Sequence, residues 1–156
     1  MEFSKGRGRA RGKGRGMPSK SQKGNAFQSW CVKWLAKQYP DAAIHNQVAV
    51  AKTIKMRDPK TGQLVDRWVS QRNDLFGCID IAMITGDRIL FIQCTMDTGI
   101  GRKLTELKKV PWPLFVGVEV WVKREPGRID ILKYTAEKTL LKIATITRGK
   151  IAYEAF

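Results

Sequence analysis

A strand–helix–strand succession in the second half of the chain constrains the fold more than any other sequence feature. Residues 79–84 and 89–95 form two short apolar runs separated by a Gly86-Asp87 turn signal. A helix is predicted at 101–110, and valines alternate along the strand that follows at 114–122. Because a strand, a helix and a strand in succession require a crossover, we predict a partly parallel sheet.

Helical spacing of apolar residues predicts a first helix that opens at Lys23-Gly24-Asn25 and ends before Pro40. Its apolar positions are Phe27, Trp30, Cys31, Trp34 and Leu35.

The other elements are predicted from β-branched residues and turn signals. Strands at 43–56 and 64–69 are expected to form a long hairpin around a turn at 58–62, and another strand is expected at 128–133. We expect a helix and a short terminal strand at 135–156. The fold class is therefore α/β, with one mixed β-sheet flanked by helices in a single domain.

Positive charge is concentrated at the start of the chain. The sequence has 29 Lys and Arg residues against 14 Asp and Glu residues, a formal net charge of +15. Glycine at nearly every second position of GRGRARGKGRG disfavours a fixed fold, so we predict a disordered basic tail at 1–22 and a domain at 23–156. Such a tail attracts phosphate backbones, although a merely solubilising role is also open.

Composition argues against several classes of protein. No apolar run approaches the roughly 20 residues of a membrane span, and the first residues lack the apolar segment of a secretory signal. Three cysteines without a CxxC motif disfavour a disulfide scaffold or zinc ribbon. The single histidine, His45, excludes a multi-histidine metal site. We expect a cytoplasmic protein with no membrane partner.

Polar residues in the two apolar runs form the candidate site. Asp80 lies at the start of a strand, where a carboxylate is costly unless it binds a metal or a partner. Gln93 and Thr95 lie two apart on the next strand and project on one face. Pairing of the strands can bring Asp80 beside Gln93, and their oxygens suit Mg²⁺ or Mn²⁺. The alternative is structural, with Asp80 capping a strand and with Gln93 and Thr95 as satisfied core residues.

This pattern resembles the PD-(D/E)xK nuclease superfamily, which places an Asp at the start of one strand and an acid-x-Lys triplet on the next. Asp80 matches the Asp, and Gln93-Cys94-Thr95 occupies the triplet. The run Lys23-Gly24-Asn25-Ala26-Phe27-Gln28 is similar to the Lys-Gly-x-x-x-Glu opening of archaeal-type Holliday-junction resolvases. The later run DLFGCID…ILFIQCT is similar to phage and viral members in which Gln replaces the acid.

The resemblance covers residues 23–122 and implies a restriction-endonuclease-like fold. It implies four catalytic residues: Asp80, Gln93, Thr95 and Gln28. It implies Mg²⁺ or Mn²⁺ bound by Asp80 and Gln93, with Asp74 as a further ligand. Thr95 cannot replace a lysine that stabilises transition-state charge, and Gln28 cannot carry a negative charge. A cation on the following helix would be needed, and the candidates are Arg102, Lys103 and Lys109.

We therefore predict a metal-dependent DNA endonuclease that selects branched DNA such as four-way junctions and acts as a homodimer. A phage or viral origin is suggested by the resemblance alone. Two alternatives stay open: a non-catalytic nucleic-acid-binding protein on a degenerate nuclease fold, and a small basic RNA-associated protein. The predicted nucleic-acid-binding residues are Arg7, Arg9, Arg11, Lys13, Arg15, Lys23, Arg102 and Lys103.

Overall fold

A seven-stranded mixed sheet, with one helix against each face, forms the body of the protein. The computed structural model describes residues 17, 20–47, 50–71 and 74–155. The elements of this part of the chain are α1 (Lys20–Gln38), β1 (Ala43–Asn46), β2 (Val50–Arg57), β3 (Leu64–Gln71), β4 (Ile81–Ile84), β5 (Ile89–Met96), α2 (Ile100–Leu107), β6 (Val116–Glu125), β7 (Arg128–Tyr134), β8 (Leu140–Thr147) and β9 (Lys150–Tyr153). A single-turn 3₁₀ helix, Asp97–Gly99, leads from β5 into α2.

The sheet has the strand order β1-β4-β5-β6-β7-β8-β9. Its pairings are antiparallel except for β5 with β6, which run parallel and are joined through α2. The predicted crossover and the mixed sheet with helices on its faces are thus confirmed. The helix α2 connects these two parallel strands. It reaches the carboxyl-terminal half of β5, where Glu106 of α2 contacts Gln93.

The α1 face of the sheet is closed by apolar side chains. Phe27, Cys31, Trp34 and Leu35 recur at helical spacing and are buried with Ile92 and other residues of the sheet. The predicted inner face of this helix is confirmed, except that Trp30 remains 38% exposed. The helix begins at Lys20, earlier than the predicted opening at Lys23.

The α2 face has its own apolar cluster. Leu107 of α2 packs with three alternate valines of β6, Val118, Val120 and Val122. Cys78 and Ile79, from the loop before β4, and Leu132 of β7 complete the buried part of this cluster. Trp121 projects to the opposite face, where it is buried.

The predicted long hairpin is correct only in part. Strands β2 and β3 pair with each other around the turn at 58–62, with Gly62 at a φ of 70°. However, Ala43–Asn46 forms a separate strand that pairs with β4 at the edge of the main sheet. The continuous run of β-forming residues hid the boundary between the two strands, since propensity alone does not mark a change of partner.

The helix predicted at 135–156 is wrong. This segment forms β8 and β9, which pair antiparallel across Arg148 and Gly149. Both turn residues have positive φ, 48° and 81°, as a two-residue hairpin turn requires. Alternate burial along β8, with Ala144 and Ile146 facing the core, shows the strand period that was missed.

In the part of the chain that the structure describes, neither helix is long and apolar enough to cross a membrane. Residues 1–16 of the predicted tail, including Arg7, Arg9, Arg11, Lys13 and Arg15, lie outside the described residues.

Candidate functional site

Asp80 occupies the point where strand β4 begins. Its backbone N–H donates to the Ile92 carbonyl at 3.0 Å, and the next residue, Ile81, also pairs with Ile92. Two residues therefore face one residue of β5, the count found in a β-bulge, which redirects a side chain. The redirected carboxylate is 9% exposed, and its Oδ2 accepts the Cys94 backbone N–H at 2.8 Å. This bond holds the carboxylate against β5, next to Gln93.

Gln93 is a fully buried polar residue on the α2 face of β5. Its Nε2 donates to Glu106 Oε2 at 3.1 Å, which turns the carboxamide towards α2. Its Oε1 is buried and has no hydrogen-bond partner among the described residues. An unsatisfied buried acceptor costs about 1–3 kcal/mol, and a ligand that contacted this oxygen would remove that cost.

Glu106 joins the site, although the sequence reasoning did not predict it. Its carboxylate accepts from Gln93 and from Arg102 Nε at 3.1 Å, and the Lys103 ammonium lies 3.6 Å away. Burial acts to raise the pKa of Glu106, but the Lys103 charge and these hydrogen bonds hold it below its ordinary value. The only sequence signal was helical i, i+3 and i, i+4 spacing from the cations, which also fits a plain surface pair.

The three candidate cations of the following helix are not equivalent. The Lys103 side chain is 16% exposed and lies over the site, whereas that of Arg102 is 82% exposed. Lys109 is exposed beyond the end of α2. Of the three, Lys103 is the most buried, and it approaches the same Glu106 oxygen that accepts from Gln93.

The Cys78 thiol shows which charges surround this region. Its pKa is raised to about 11, chiefly by burial and next by the negative charge of Glu106, while the positive charge of Lys103 opposes the rise. Asp74 and Asp80 also raise the pKa of Cys78. Both predicted carboxylate ligands are therefore within electrostatic reach of the same thiol as Glu106 and Lys103.

Gln28 reaches the site from α1 and contacts backbone. Its Nε2 lies 2.6 Å from the Gln47 carbonyl, 2.6 Å from Asn46 Oδ1 and 3.3 Å from the Asp80 carbonyl. The amide therefore ties α1 to the residue that carries the carboxylate. In this arrangement Gln28 is a positioning residue for Asp80.

Thr95 faces the loop that leads to α2. Its hydroxyl donates to the Met96 carbonyl at 3.1 Å and is pressed against Gly99, where a Cβ would collide with it. Of the other predicted site residues, Lys23 is exposed on α1. The structure thus places the Asp80 carboxylate on the backbone N–H of Cys94, the residue after Gln93, and places the Gln28 amide on the Asp80 carbonyl. It turns the Thr95 hydroxyl towards backbone.

The donors suit a divalent ion that keeps most of its water. Among the residues with described positions, no three His, Cys, Asp or Glu side chains are grouped to hold a metal. Mg²⁺ is commonly held by one or two carboxylates together with waters and phosphate oxygens. The Asp80 carboxylate and the orphaned Gln93 Oε1 are oxygen donors of this type, so the residues present fit Mg²⁺ or Mn²⁺.

The chain matches no protein-family model, and no curated protein or solved structure matches it.

Proposed function

We propose that this protein is a metal-dependent endonuclease that hydrolyses phosphodiester bonds of DNA, with a preference for branched DNA such as four-way junctions. The order of the site elements supports the proposal. Gln28 lies on a helix, Asp80 precedes one strand, the Gln93–Thr95 triplet lies on its antiparallel partner, and a second helix follows. This is the succession that the PD-(D/E)xK resemblance implies.

The observation that carries the proposal is the buried Gln93 Oε1, which lacks a hydrogen-bond partner within the described chain and lies one residue from the N–H that holds Asp80. A residue serving only the core would be expected to have both polar atoms satisfied. An acceptor left open beside a carboxylate is expected where a ligand completes it.

Asp80 and Gln93 would hold the metal, and Asp74 is the further carboxylate that the resemblance implies as a ligand. When bound, the ion would lower the pKa of a water and polarise the scissile phosphate. Lys103 would supply the positive charge that Thr95 lacks at the position of the lysine in the PD-(D/E)xK triplet. Its largely buried ammonium can stabilise negative charge on a phosphate. Glu106 holds that ammonium and orients the Gln93 amide.

The basic character of the whole chain supports DNA as the substrate. The formal net charge of +15 favours a polyanion, and binding through phosphates needs no reading of base sequence. A homodimer would present two sites to one four-way junction, and this oligomeric state is part of the proposal.

The test compares Asp80→Asn with Asp41→Asn, an exposed acid that loses the same charge. Each full-length variant is incubated with a four-way junction, linear duplex, single strand and RNA, in Mg²⁺, Mn²⁺ or EDTA. We expect metal-dependent cleavage of the junction by the wild type and by Asp41→Asn. Asp80→Asn should lose at least about a hundredfold in rate while binding junction DNA normally. Asparagine can still accept the Cys94 N–H, so the fold should persist.

Absence of cleavage of every substrate by the wild type, with DNA binding intact, would overturn the catalytic proposal. Loss of binding equal to loss of cleavage in Asp80→Asn would remove Asp80 from the chemistry.

A second candidate is a non-catalytic nucleic-acid-binding protein on the same scaffold. The observation that favours it is the Thr95 hydroxyl, which is turned to backbone where the family has a lysine. This candidate predicts salt-dependent DNA binding without turnover in any metal. A preference for RNA over junction DNA of more than about tenfold would instead favour an RNA-associated protein.

A further inference from the structure

A cavity beside α1, separate from the Asp80 site, combines an aromatic platform with several cations. Its volume is about 380 Å³, within the range of small-ligand sites. Phe27, Trp30 and Ile129 give it an apolar floor, and Lys123, Arg128 and Arg148 line it together with one acid, Glu125. Its walls therefore carry more positive than negative charge.

The Trp30 ring is held in place as a stacking platform. It stacks on Trp34 with the ring centroids 6.5 Å apart and the planes 21° apart. Trp34 is in turn fixed, because its Nε1 donates to the Gly149 carbonyl at 2.9 Å and its ring meets the edge of Trp121. The Trp30 ring is 38% exposed but already held by this support. It therefore has little conformational freedom left to lose when a ligand binds.

Two of the cations are not used in ion pairs. Arg128 lies near Glu125 and Asp130, but within the described chain no salt bridge is formed by Lys123 or Arg148. The Lys123 ammonium stands 6.0 Å from the centre of the Phe27 ring. The backbone N–H of Arg148 is bonded to the Gly127 carbonyl, which holds this residue at the rim.

We propose that this cavity binds one unpaired nucleotide of a DNA strand, with the base on Trp30 and the phosphate between Lys123 and Arg148. An inorganic anion alone would leave the apolar floor unused, and an apolar ligand would leave the cations unused. A nucleotide satisfies both, since stacking on aromatic rings combined with cations along the backbone is how single strands are bound. A paired base could not reach the ring, because its faces are covered within the duplex.

The cavity lies on the α1 face of the sheet, whereas Gln93 and Glu106 of the proposed cleavage site lie on the α2 face. Along the chain the two are close, since Phe27 precedes Gln28 on α1 and Lys123 pairs in register with Met96, the residue after Thr95. The identity of the strand as DNA rests on the proposed function, whereas the preference of the cavity for an unpaired base does not.

The experiment measures binding of two labelled strands by fluorescence anisotropy, using full-length protein in EDTA so that no cleavage occurs. One strand is an oligothymidylate of about twelve nucleotides, and the other is an abasic chain with the same number of phosphates. Trp30→Ala should bind oligothymidylate about tenfold more weakly and the abasic chain as the wild type does. Trp30→Phe should keep most of the affinity, because the ring remains.

Charge variants separate the phosphate contact from the stacking contact. Arg148→Gln should weaken binding of both strands severalfold, and more than Lys150→Gln, an exposed cation of β9 outside the cavity. Ala26→Glu provides a variant that leaves the Trp30–Trp34 stack intact, since Ala26 is exposed at the cavity wall. It should weaken binding of both strands by adding a negative charge.

Wild-type affinity for oligothymidylate in both Trp30→Ala and Ala26→Glu would overturn the inference, as would an equal loss for both strands in Trp30→Ala. If thymidine monophosphate bound as tightly as the oligonucleotide, the ligand of the cavity would be a free nucleotide, and the inference of a bound strand would be wrong. Asp80→Asn should bind oligothymidylate normally, so failure of the cavity and failure of the cleavage site give different results.

Discussion

The two faces of strand β5 differ in what their buried residues do. Ile92 projects to the α1 face and packs among apolar side chains, while its neighbour Gln93 projects to the α2 face beside Glu106. Both are completely buried. Ile92 is satisfied by packing, whereas Gln93 keeps one polar atom, Oε1, that no described residue satisfies. Such local departures from good packing are expected at functional sites, and stability must come from elsewhere.

The largest effect on stability is expected from Ile92→Ala on the α1 face. Truncation of a fully buried isoleucine leaves a cavity and should lower the free energy of unfolding by about 3 kcal/mol. Urea denaturation measures the change, with Ile84→Ala as the control, because Ile84 is 52% exposed at the end of β4. Equal losses in the two variants would show that the α1 face is not the stabilising face.

The next largest effect on stability is expected where the Thr95 hydroxyl closely approaches Gly99, between β5 and α2. A Cβ at Gly99 would collide with the Thr95 hydroxyl, so Gly99→Ala should cost about 2 kcal/mol. Gly101→Ala is the matched control, since a Cβ there meets nothing within 4 Å and alanine favours the helix. Adding Thr95→Ala should recover at least about 1 kcal/mol of the loss. Additive losses in the double variant would contradict the contact.

A smaller change is expected from Gln93→Leu, one residue from Ile92. Leucine removes the unsatisfied Oε1 and also the hydrogen bond to Glu106, two changes of opposite sign. We expect the unfolding free energy to stay within about 1 kcal/mol of the wild type, while DNA cleavage is lost.

The control for this variant is Gln93→Glu, which introduces an acid at this position and sets a second carboxylate against Glu106. Like charges at this distance disfavour ionisation of both, so it should be less stable than Gln93→Leu. A loss in Gln93→Leu as large as that in Ile92→Ala would mean that Gln93 is an ordinary core residue.

Local patterns predicted much of the fold because they are encoded over a few residues. The helical spacing from Phe27 to Leu35, and the apolar runs around Asp80 and Gln93, gave α1, β4, β5 and the crossover. The division of β1 from the hairpin depends on which distant strand each segment meets. That choice is made by tertiary packing and leaves no local signal.

The candidate site could be predicted only in part. Sequence reasoning singled out Asp80 and Gln93 because a polar residue in an apolar strand is visible in sequence. It did not single out Glu106, because the role of Glu106 depends on α2 lying across β5, a contact between elements rather than a spacing within one. The direction of the Gln93 amide, with one end bonded and the other open, follows from the same contact.

The last prediction contrasts two glutamates on opposite faces. Glu119, two residues from Trp121 on β6, has its pKa raised by burial, which the hydrogen bond from Trp121 Nε1 and the charges of Arg88 and Lys133 only partly offset. Because the folded pKa lies above the unfolded one, stability falls as pH rises from about 4.3 through the folded pKa. Glu119→Gln should therefore be more stable than the wild type at neutral pH, by the smallest margin of these variants, and equal to it near pH 4.

Glu106→Gln should behave in the opposite sense. The pKa of Glu106 is lowered by Lys103 and its hydrogen bonds despite burial, so its contribution is present above the unfolded pKa and is lost as pH falls through the folded pKa. This variant should be less stable than the wild type at neutral pH, with the difference shrinking in acid. Urea midpoints measured from pH 3 to 8 for both variants test the pair. The same pH dependence in both would contradict the electrostatic difference between the two faces.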